Sequence, residues 1–192
     1  MKKSLLSSLL RPALTLTAIC AAITLALAAA NAVTEGPIAQ RAAQTERDAM
    51  AELLPADEYQ PVDTGDPEIT CYRAVGGEKP GYIFVTAANG YGGEVSVMTA
   101  VYDEGTVAAI EILAADDETP GLGQNAKNPA FKEQFAGSAG PIEVVKDGSG
   151  GAGTGKVNAM TSATITSRAV AGAVNRALDA FAGLAEKGGA DA

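Results

Sequence analysis

The sequence predicts an α+β protein with one N-terminal transmembrane helix followed by a single domain of antiparallel strands and peripheral helices. Three observations support this fold class. Residues 12–33 contain no charged side chain. Short runs rich in β-branched residues then follow one another with turn signals between them, and the chain closes on an amphipathic helical pattern. Strands joined by short turns pair antiparallel, so this order favours α+β over a doubly wound parallel sheet.

The uncharged stretch is long enough to cross a bilayer. As a helix, Pro12–Val33 would span about 33 Å at ~1.5 Å per residue, against a hydrocarbon core of ~30 Å. A cleavable signal peptide, with Ala30-Asn31-Ala32 as its cleavage site, is the alternative interpretation. The run exceeds the usual length of the apolar core of a signal peptide. This length favours an uncleaved signal anchor, formed by residues 1–33, over a cleavable signal peptide.

Charge on either side of the span predicts the topology. Lys2, Lys3 and Arg11 precede it, and the first acidic residue after it is Glu35. Positive charge stays on the cytoplasmic side of a membrane. We therefore expect a single-pass protein of the cytoplasmic (inner) membrane, with a cytoplasmic N-terminus and residues 34–192 forming one extracytoplasmic domain.

The elements of that domain follow from local pattern. Thr34 is a candidate N-cap for a polar helix over Glu35–Leu54, which Pro55 would end. Asp103-Glu104-Gly105 is a short hairpin signal. The predicted strands cover residues 68–75, 81–87, 95–102, 106–113 and 142–145; loops are predicted over 118–123 and 146–156, and a short helix over 128–135.

The closing helix is predicted over Ile165–Lys187. Its apolar side chains recur at helical spacing and form one stripe that faces the core. The stripe consists of Val170, Val174, Leu178, Phe181 and Leu184.

Composition excludes several classes of site. The chain has no histidine, which removes Ser-His-Asp and Cys-His catalysis and most zinc sites. Cys71 is the lone cysteine after the span. We therefore expect neither an intradomain disulfide nor an iron–sulfur cluster held by cysteines of this domain alone. Residues 34–192 hold eleven basic and 23 acidic side chains, and the net charge of −12 disfavours nucleic acid as a partner. Redox chemistry would require a cofactor.

Two glycine patterns are interpreted as one surface loop. Residues 150–156 match a phosphate-loop pattern, but Val157 stands where a magnesium-binding Ser or Thr is needed. Residues 148–153 match a dinucleotide fingerprint, but no helix begins at the third glycine and no acidic residue lies at the required distance.

A cluster of hydroxyl side chains at the start of the last helix carries the functional signal. Thr161, Ser162, Thr164, Thr166 and Ser167 surround Ala163. Such clusters are common helix caps. A helix N-terminus also favours phosphate, and Arg168, four residues after Thr164, would lie on the same helical face and could pair with a phosphate there.

The run Thr161-Ser-Ala-Thr164-Ile-Thr-Ser167 resembles the flavinylation motif of the FMN-binding domain family. Two further segments are similar to the same family, in the same order. They are Asn89-Gly-Tyr-Gly-Gly-Glu94 with the strands that follow it, and Glu118-Thr-Pro-Gly-Leu-Gly123. Together with the N-terminal anchor, these segments make the chain resemble the G subunits of Rnf ion-translocating electron-transport complexes. The resemblance covers essentially the whole chain.

The resemblance implies a covalent cofactor and a set of binding residues. Thr164 would be esterified to the phosphate of FMN. The ETPGLG segment would contact the flavin. Gly121 and Gly123 would allow the backbone of this segment to approach the flavin closely, and Leu122 would pack on the ring. The remaining expected contacts are Thr161, Ser162, Ala163, Thr166, Ser167, Arg168, Glu118, Thr119 and Tyr91; no catalytic residue and no metal ligand is expected.

The same resemblance implies partners and a role. A separate flavin transferase would attach FMN after export, using FAD and magnesium, so Thr164 would be an acceptor and not a catalyst. The chain would relay electrons between ferredoxin and NAD within a translocase that moves Na⁺ or H⁺. The other subunits would supply iron–sulfur clusters, the NAD site and the ion path, and this chain alone would have no complete activity.

Some positions depart from the family pattern. Ser162 stands where the family often has Gly, Asn158 where Asp is frequent, and Asp116 and Asp117 where relatives often have His. Serine for glycine adds only a small side chain, so we expect flavinylation to survive it.

Two other functions remain open from the sequence. One is that of the C subunit in the Na⁺-translocating NADH:quinone reductase, which shares the anchor and the Thr-linked FMN but tends to be longer. The other is a non-redox exported binding module that has lost its flavin; it would not be expected to keep both flavin loops.

Overall fold

A computed structural model describes the backbone of residues 2–190 and the side chains of residues 10–186. The chain divides into two compact units, Met1–Thr45 and Glu46–Ala192. The described part of the first unit lies within helix α1 (Lys2–Leu53), whose residues 10–44 are exposed. In the described part of the chain, α1 is the one helix long and apolar enough to cross a membrane, with a mean hydropathy of 2.2 in its most apolar window.

The second unit is built on an antiparallel sheet, as the sequence predicts; it has five strands, four of them predicted, and the predicted strand over 142–145 lies outside it in a parallel pair. The strands pair in chain order, each with its neighbour. They are β1 (Glu58–Val62), β2 (Thr70–Val75), β3 (Gly81–Asn89), β4 (Glu94–Tyr102) and β5 (Val107–Ala114). The hairpin between β4 and β5 turns at Asp103-Glu104-Gly105, where the sequence predicts it.

Both faces of the sheet are covered. Helix α3 (Thr164–Ala190) packs on one face, where Val170 and Val174 are fully buried against residues of β3 and β4. Burial of an aliphatic side chain of this size contributes about 1.5–3 kcal/mol. The predicted stripe is confirmed, because Leu178 is also buried and Phe181 and Leu184 pack against the same cluster. Ala49 and Met50 at the end of α1 cover the other face.

The connection between β5 and α3 is compact and irregular. It contains a 3₁₀ turn over Gly123–Lys127, a short helix α2 (Pro129–Lys132) and a second 3₁₀ turn over Glu133–Phe135. A small parallel pair, β6 (Glu143–Val145) with β7 (Lys156–Asn158), precedes α3. The glycine-rich loop thus leads into a strand and not into a helix, which agrees with rejecting a phosphate loop there.

Three details differ from the sequence predictions. Thr34 is not an N-cap, because α1 runs through it and its hydroxyl donates to the Ala30 carbonyl at 2.9 Å. The predicted helix over residues 128–135 breaks after Lys132 into a 3₁₀ turn. Strands β1 and β7 were not predicted: β1 is an edge strand with no buried residue, and β7 has three residues of which only Val157 is buried.

Candidate functional site

The start of α3 is fixed by Ser167. Its backbone N–H donates to the Ala163 carbonyl at 3.0 Å, which is the first hydrogen bond of the helix. Its hydroxyl donates to the same carbonyl at 2.9 Å and accepts the Met160 N–H at 2.9 Å. The backbone N–H groups of the first turn, beginning at Thr164, have no acceptor inside the helix and generate positive potential there.

Ser162 shapes the entry to this helix. Its φ of 60° lies in the left-handed region, which is unusual for a residue other than glycine. The turn lets the Ala163 N–H donate to the Met160 carbonyl at 3.0 Å and directs the chain into α3. The conformation explains why glycine suits this position, and a serine here costs about 1 kcal/mol relative to glycine.

The five hydroxyl side chains have different environments. Thr164, the first residue of α3, is half-buried, whereas Thr161 and Ser162 are exposed. Thr166 and Ser167 are fully buried and bonded inside the protein. Thr164 therefore combines three properties: it is at the helix start, it is partly accessible, and no side-chain hydrogen bond commits its hydroxyl among the bonds found for the described residues.

Glu118 joins three segments of the chain beside Thr164. One carboxylate oxygen, Oε1, accepts the Tyr91 N–H at 2.7 Å and the Gly92 N–H at 3.2 Å. The other, Oε2, accepts the Thr166 hydroxyl at 2.7 Å. The side chain is only 2% exposed. The loop after β3, the loop after β5 and the start of α3 thus meet at one buried carboxylate.

Two glycines give this carboxylate its room. A Cβ at Gly90 would lie 2.0 Å from Glu118 Oε1, and a Cβ at Gly123 would lie 2.2 Å from Oε2. Any larger residue would displace the carboxylate or its donors. Gly121 is different, because nothing lies within 4 Å of its Cβ position and its φ of +76° is the reason for a glycine there.

A cavity of about 530 Å³ opens where the three segments meet. Its size is typical of a small-molecule or cofactor site. Nine residues expected from the sequence line it, together with Ile165: they are Tyr91, Glu118, Thr119, Leu122, Gly123, Ser162, Ala163, Thr164 and Thr166. The lining is mostly apolar, with hydroxyl groups and one carboxylate at its edge.

Four expected residues lie elsewhere. Thr161 and Gly121 line a neighbouring cavity of about 470 Å³, which shares Leu122 with the first. Ser167 is buried beneath the helix start. Arg168 is exposed, one turn after Thr164, and lines neither of these two cavities.

Ile165 was missed by the sequence analysis. It is 53% exposed and lies on the cavity beside Thr164. The available signal is its phase: Ile165 does not fall on the stripe that contains Val170 and Val174, so its apolar side chain is not explained by the core. Among the described residues, no group of three or more acidic, cysteine or histidine side chains is arranged to hold a metal ion.

Comparison with known proteins relates this site to a family. A family model described as the FMN-binding domain matches residues 90–179, which include all ten residues that line the cavity. The G subunit of the Na⁺-translocating ferredoxin:NAD⁺ oxidoreductase complex of Acetobacterium woodii is 34% identical, with 84% of this chain and 86% of that one covered. The G subunit of the proton-translocating ferredoxin:NAD⁺ oxidoreductase complex of Clostridium ljungdahlii is 36% identical, with 85% and 86% covered.

A solved structure is similar in fold. It is the C subunit of the Na⁺-translocating NADH-quinone reductase from Parabacteroides distasonis, with a TM-score of 0.55 over 73% of this chain and 81% of that one. The sequence identity is 23%, so the likeness concerns the fold alone.

Proposed function

Because the chain belongs to the family of G subunits of ion-translocating oxidoreductase complexes, we propose that it carries FMN as a phosphoester of Thr164 and relays electrons within such a complex. The relay would connect ferredoxin and NAD⁺, the substrates named for the relatives, and would be coupled to Na⁺ or H⁺ movement. The observation that carries the proposal is the half-buried Thr164 at a helix N-terminus, on the edge of a cofactor-sized cavity.

The residues around the cavity suit FMN. The first turn of α3 favours the phosphate, because its free N–H groups and helix dipole attract negative charge. Arg168 adds positive charge one turn further on. Leu122, Ala163 and Ile165 offer apolar surface to the ring, and Tyr91 offers an aromatic one. Bound FMN supplies electron transfer, for which the side chains of the domain have no group of their own.

Attachment requires a second protein. The Thr164 hydroxyl oxygen would bond to the phosphorus of the FMN half of FAD while the pyrophosphate bond to the AMP half breaks. AMP would leave, and the hydroxyl proton would pass to a base of the flavin transferase. As the resemblance to the flavinylation motif implies, the transferase would be the catalyst and Thr164 the acceptor.

The same proposal assigns a location. Helix α1 spans the cytoplasmic membrane once, in contact with lipid along its exposed apolar stretch. Lys2, Lys3 and Arg11 keep the N-terminus inside, so the flavin domain faces outward. Protease added to intact spheroplasts is expected to digest the domain; complete protection would exclude this topology.

The nearest alternative is the C subunit of a Na⁺-translocating NADH:quinone reductase. The solved C subunit shares the fold of this chain but only 23% of its sequence. Two G subunits are 34% and 36% identical to this chain over most of both chains. The other alternative, an exported module without flavin, predicts a colourless protein.

A pair of variants tests the attachment. Thr164→Val keeps the shape and β-branching of the side chain and removes its oxygen, at a cost of about 1 kcal/mol or less. It is expected to abolish FMN fluorescence in a denaturing gel after co-expression with a flavin transferase. Thr161→Val is the matched control and is expected to keep the fluorescence. Fluorescence that survives Thr164→Val would refute the assignment, and its absence from the wild-type protein would favour the module without flavin.

A further inference from the structure

Glu118 is the one charged side chain that is buried among the residues for which burial is described. Burial of a carboxylate is costly unless hydrogen bonds compensate it. Glu118 accepts three, two from the backbone of Tyr91 and Gly92 and one from the Thr166 hydroxyl. No ion pair with a lysine or arginine is found for it in this part of the chain, where five ion-pair contacts occur at other positions.

The surroundings of Glu118 match an acceptor at Oε1, whereas the Thr166 hydroxyl at Oε2 can donate or accept. The Tyr91 and Gly92 N–H groups can only donate, and both point to Oε1. Gly90 and Gly123 are small enough to let the carboxylate approach their backbone. Five residues from three separate segments are thus arranged around one group, which also lines the cavity that holds Thr164.

We propose that Glu118 is a positioning residue that holds the three segments of the cavity together and, through a negative charge that no paired lysine or arginine neutralises among the described residues, lowers the reduction potential of the flavin bound there. This inference rests on the proposed function. Electrons arriving from the preceding carrier of the complex make the ring more negative, and a carboxylate lining the same cavity disfavours that charge. Low dielectric around a buried group strengthens the effect.

The two parts of this role can be separated by substitution. Glu118→Gln keeps the length of the side chain: its amide oxygen can accept Tyr91 and Gly92, and its amide nitrogen can donate to the Thr166 oxygen. It removes the charge and reverses the hydrogen bond with Thr166, but it keeps a partner for each group. Glu118→Asp keeps the charge but is one methylene shorter, so it cannot reach all three donors.

Asp116→Asn is the matched control for charge removal. Asp116 lies two residues away in the same loop, but its side chain is 83% exposed and is paired with Lys127 at 2.8 Å. Solvent and the lysine screen its charge, so its loss should hardly affect the cavity.

The experiment measures FMN occupancy and midpoint potential of the full-length protein, co-expressed with a flavin transferase and purified in detergent. We expect Glu118→Gln to keep at least half of the wild-type occupancy and to have a higher potential than both the wild type and Asp116→Asn. We expect Glu118→Asp to lose more than half of the occupancy, while its loaded fraction keeps a potential closer to that of the wild type. A potential in Glu118→Gln that matches Asp116→Asn would overturn the electrostatic role.

Hydrogen exchange of the wild-type protein tests the positioning role without any variant. The Tyr91 and Gly92 amides lie in a loop, yet we expect them to exchange more slowly than the Ser149 amide, which donates at 3.0 Å to the exposed carboxylate of Asp147. Equal rates would overturn the role of Glu118 in holding the loop. Wild-type protein without FMN on Thr164 would instead refute the proposed function, and the exchange result would still report on Glu118.

Discussion

Gly123→Ala is expected to destabilise the domain, although replacing glycine by alanine usually stabilises a protein where the backbone conformation allows it. The new Cβ would lie 2.2 Å from Glu118 Oε2 and 2.9 Å from the Thr166 hydroxyl oxygen. Both distances are below the contact distance of a carbon and an oxygen, so the buried carboxylate must move away from Thr166. The substitution therefore weakens the hydrogen bond between Glu118 and Thr166 without removing either side chain.

The size of the effect follows from two opposing terms. A hydrogen bond to a charged group contributes about 1.5–3 kcal/mol. Replacing glycine by alanine restricts the unfolded chain and contributes about 0.4–1 kcal/mol in the other direction. The first term is larger, so the free energy of unfolding should fall by about 1–2 kcal/mol. For a protein of this length, Tm should fall by roughly 2–8 °C.

Thermal unfolding of the full chain in detergent measures this change. Gly172→Ala is the matched control, because Gly172 lies inside α3 with nothing within 4 Å of its Cβ position. There, alanine should raise the stability by about 0.5–1 kcal/mol. If Gly123→Ala melts at or above the wild-type temperature, Gly123 does not pack closely against the Glu118 carboxylate.

Three further predictions concern single positions. Ser162→Gly should raise Tm by about 2–4 °C with FMN retained, because it relieves a left-handed φ worth about 1 kcal/mol; an unchanged Tm would argue against that conformation. Gly121→Ala should lower Tm by a similar amount, since only its φ of +76° opposes alanine, and a gain in stability would contradict this φ. Burial raises the pKa of the Cys71 thiol from 9.0 to about 12. The unfolded chain then loses this proton first, so the unfolding free energy should fall between pH 9 and 12 by roughly 1.4 kcal/mol per unit more than in Cys71→Ala. If the unfolding free energies of the wild type and Cys71→Ala change with pH in parallel, the raised pKa of Cys71 is refuted.

Much of the fold could be predicted because its elements carry strong local patterns. Strands β3 to β5 are rich in β-branched residues, and the stripe from Val170 to Leu184 has helical spacing. Strand β1 could not be found this way, since it contains Pro61 and no buried residue and depends on pairing with β2. The extent of α1 through Thr34 was missed because a threonine inside a helix and a threonine cap look alike in sequence.

The candidate site was predictable to the level of segments. Motif resemblance brought the loop after β3, the ETPGLG segment and the start of α3 to one place. It gave no account of how they are joined, since the bond between Glu118 and Thr166 links residues 48 positions apart. It selected Thr164 as the acceptor but did not place Thr161 on the neighbouring cavity, which depends on the left-handed turn at Ser162.

The most direct test of the account is peptide mass spectrometry on the wild-type protein isolated from its native membrane. The account predicts that the peptide containing residues 161–168 carries the mass of FMN less one water, and that fragmentation places it on Thr164. An FMN mass on Thr161, Ser162, Thr166 or Ser167, or a peptide without it, would contradict the central claim.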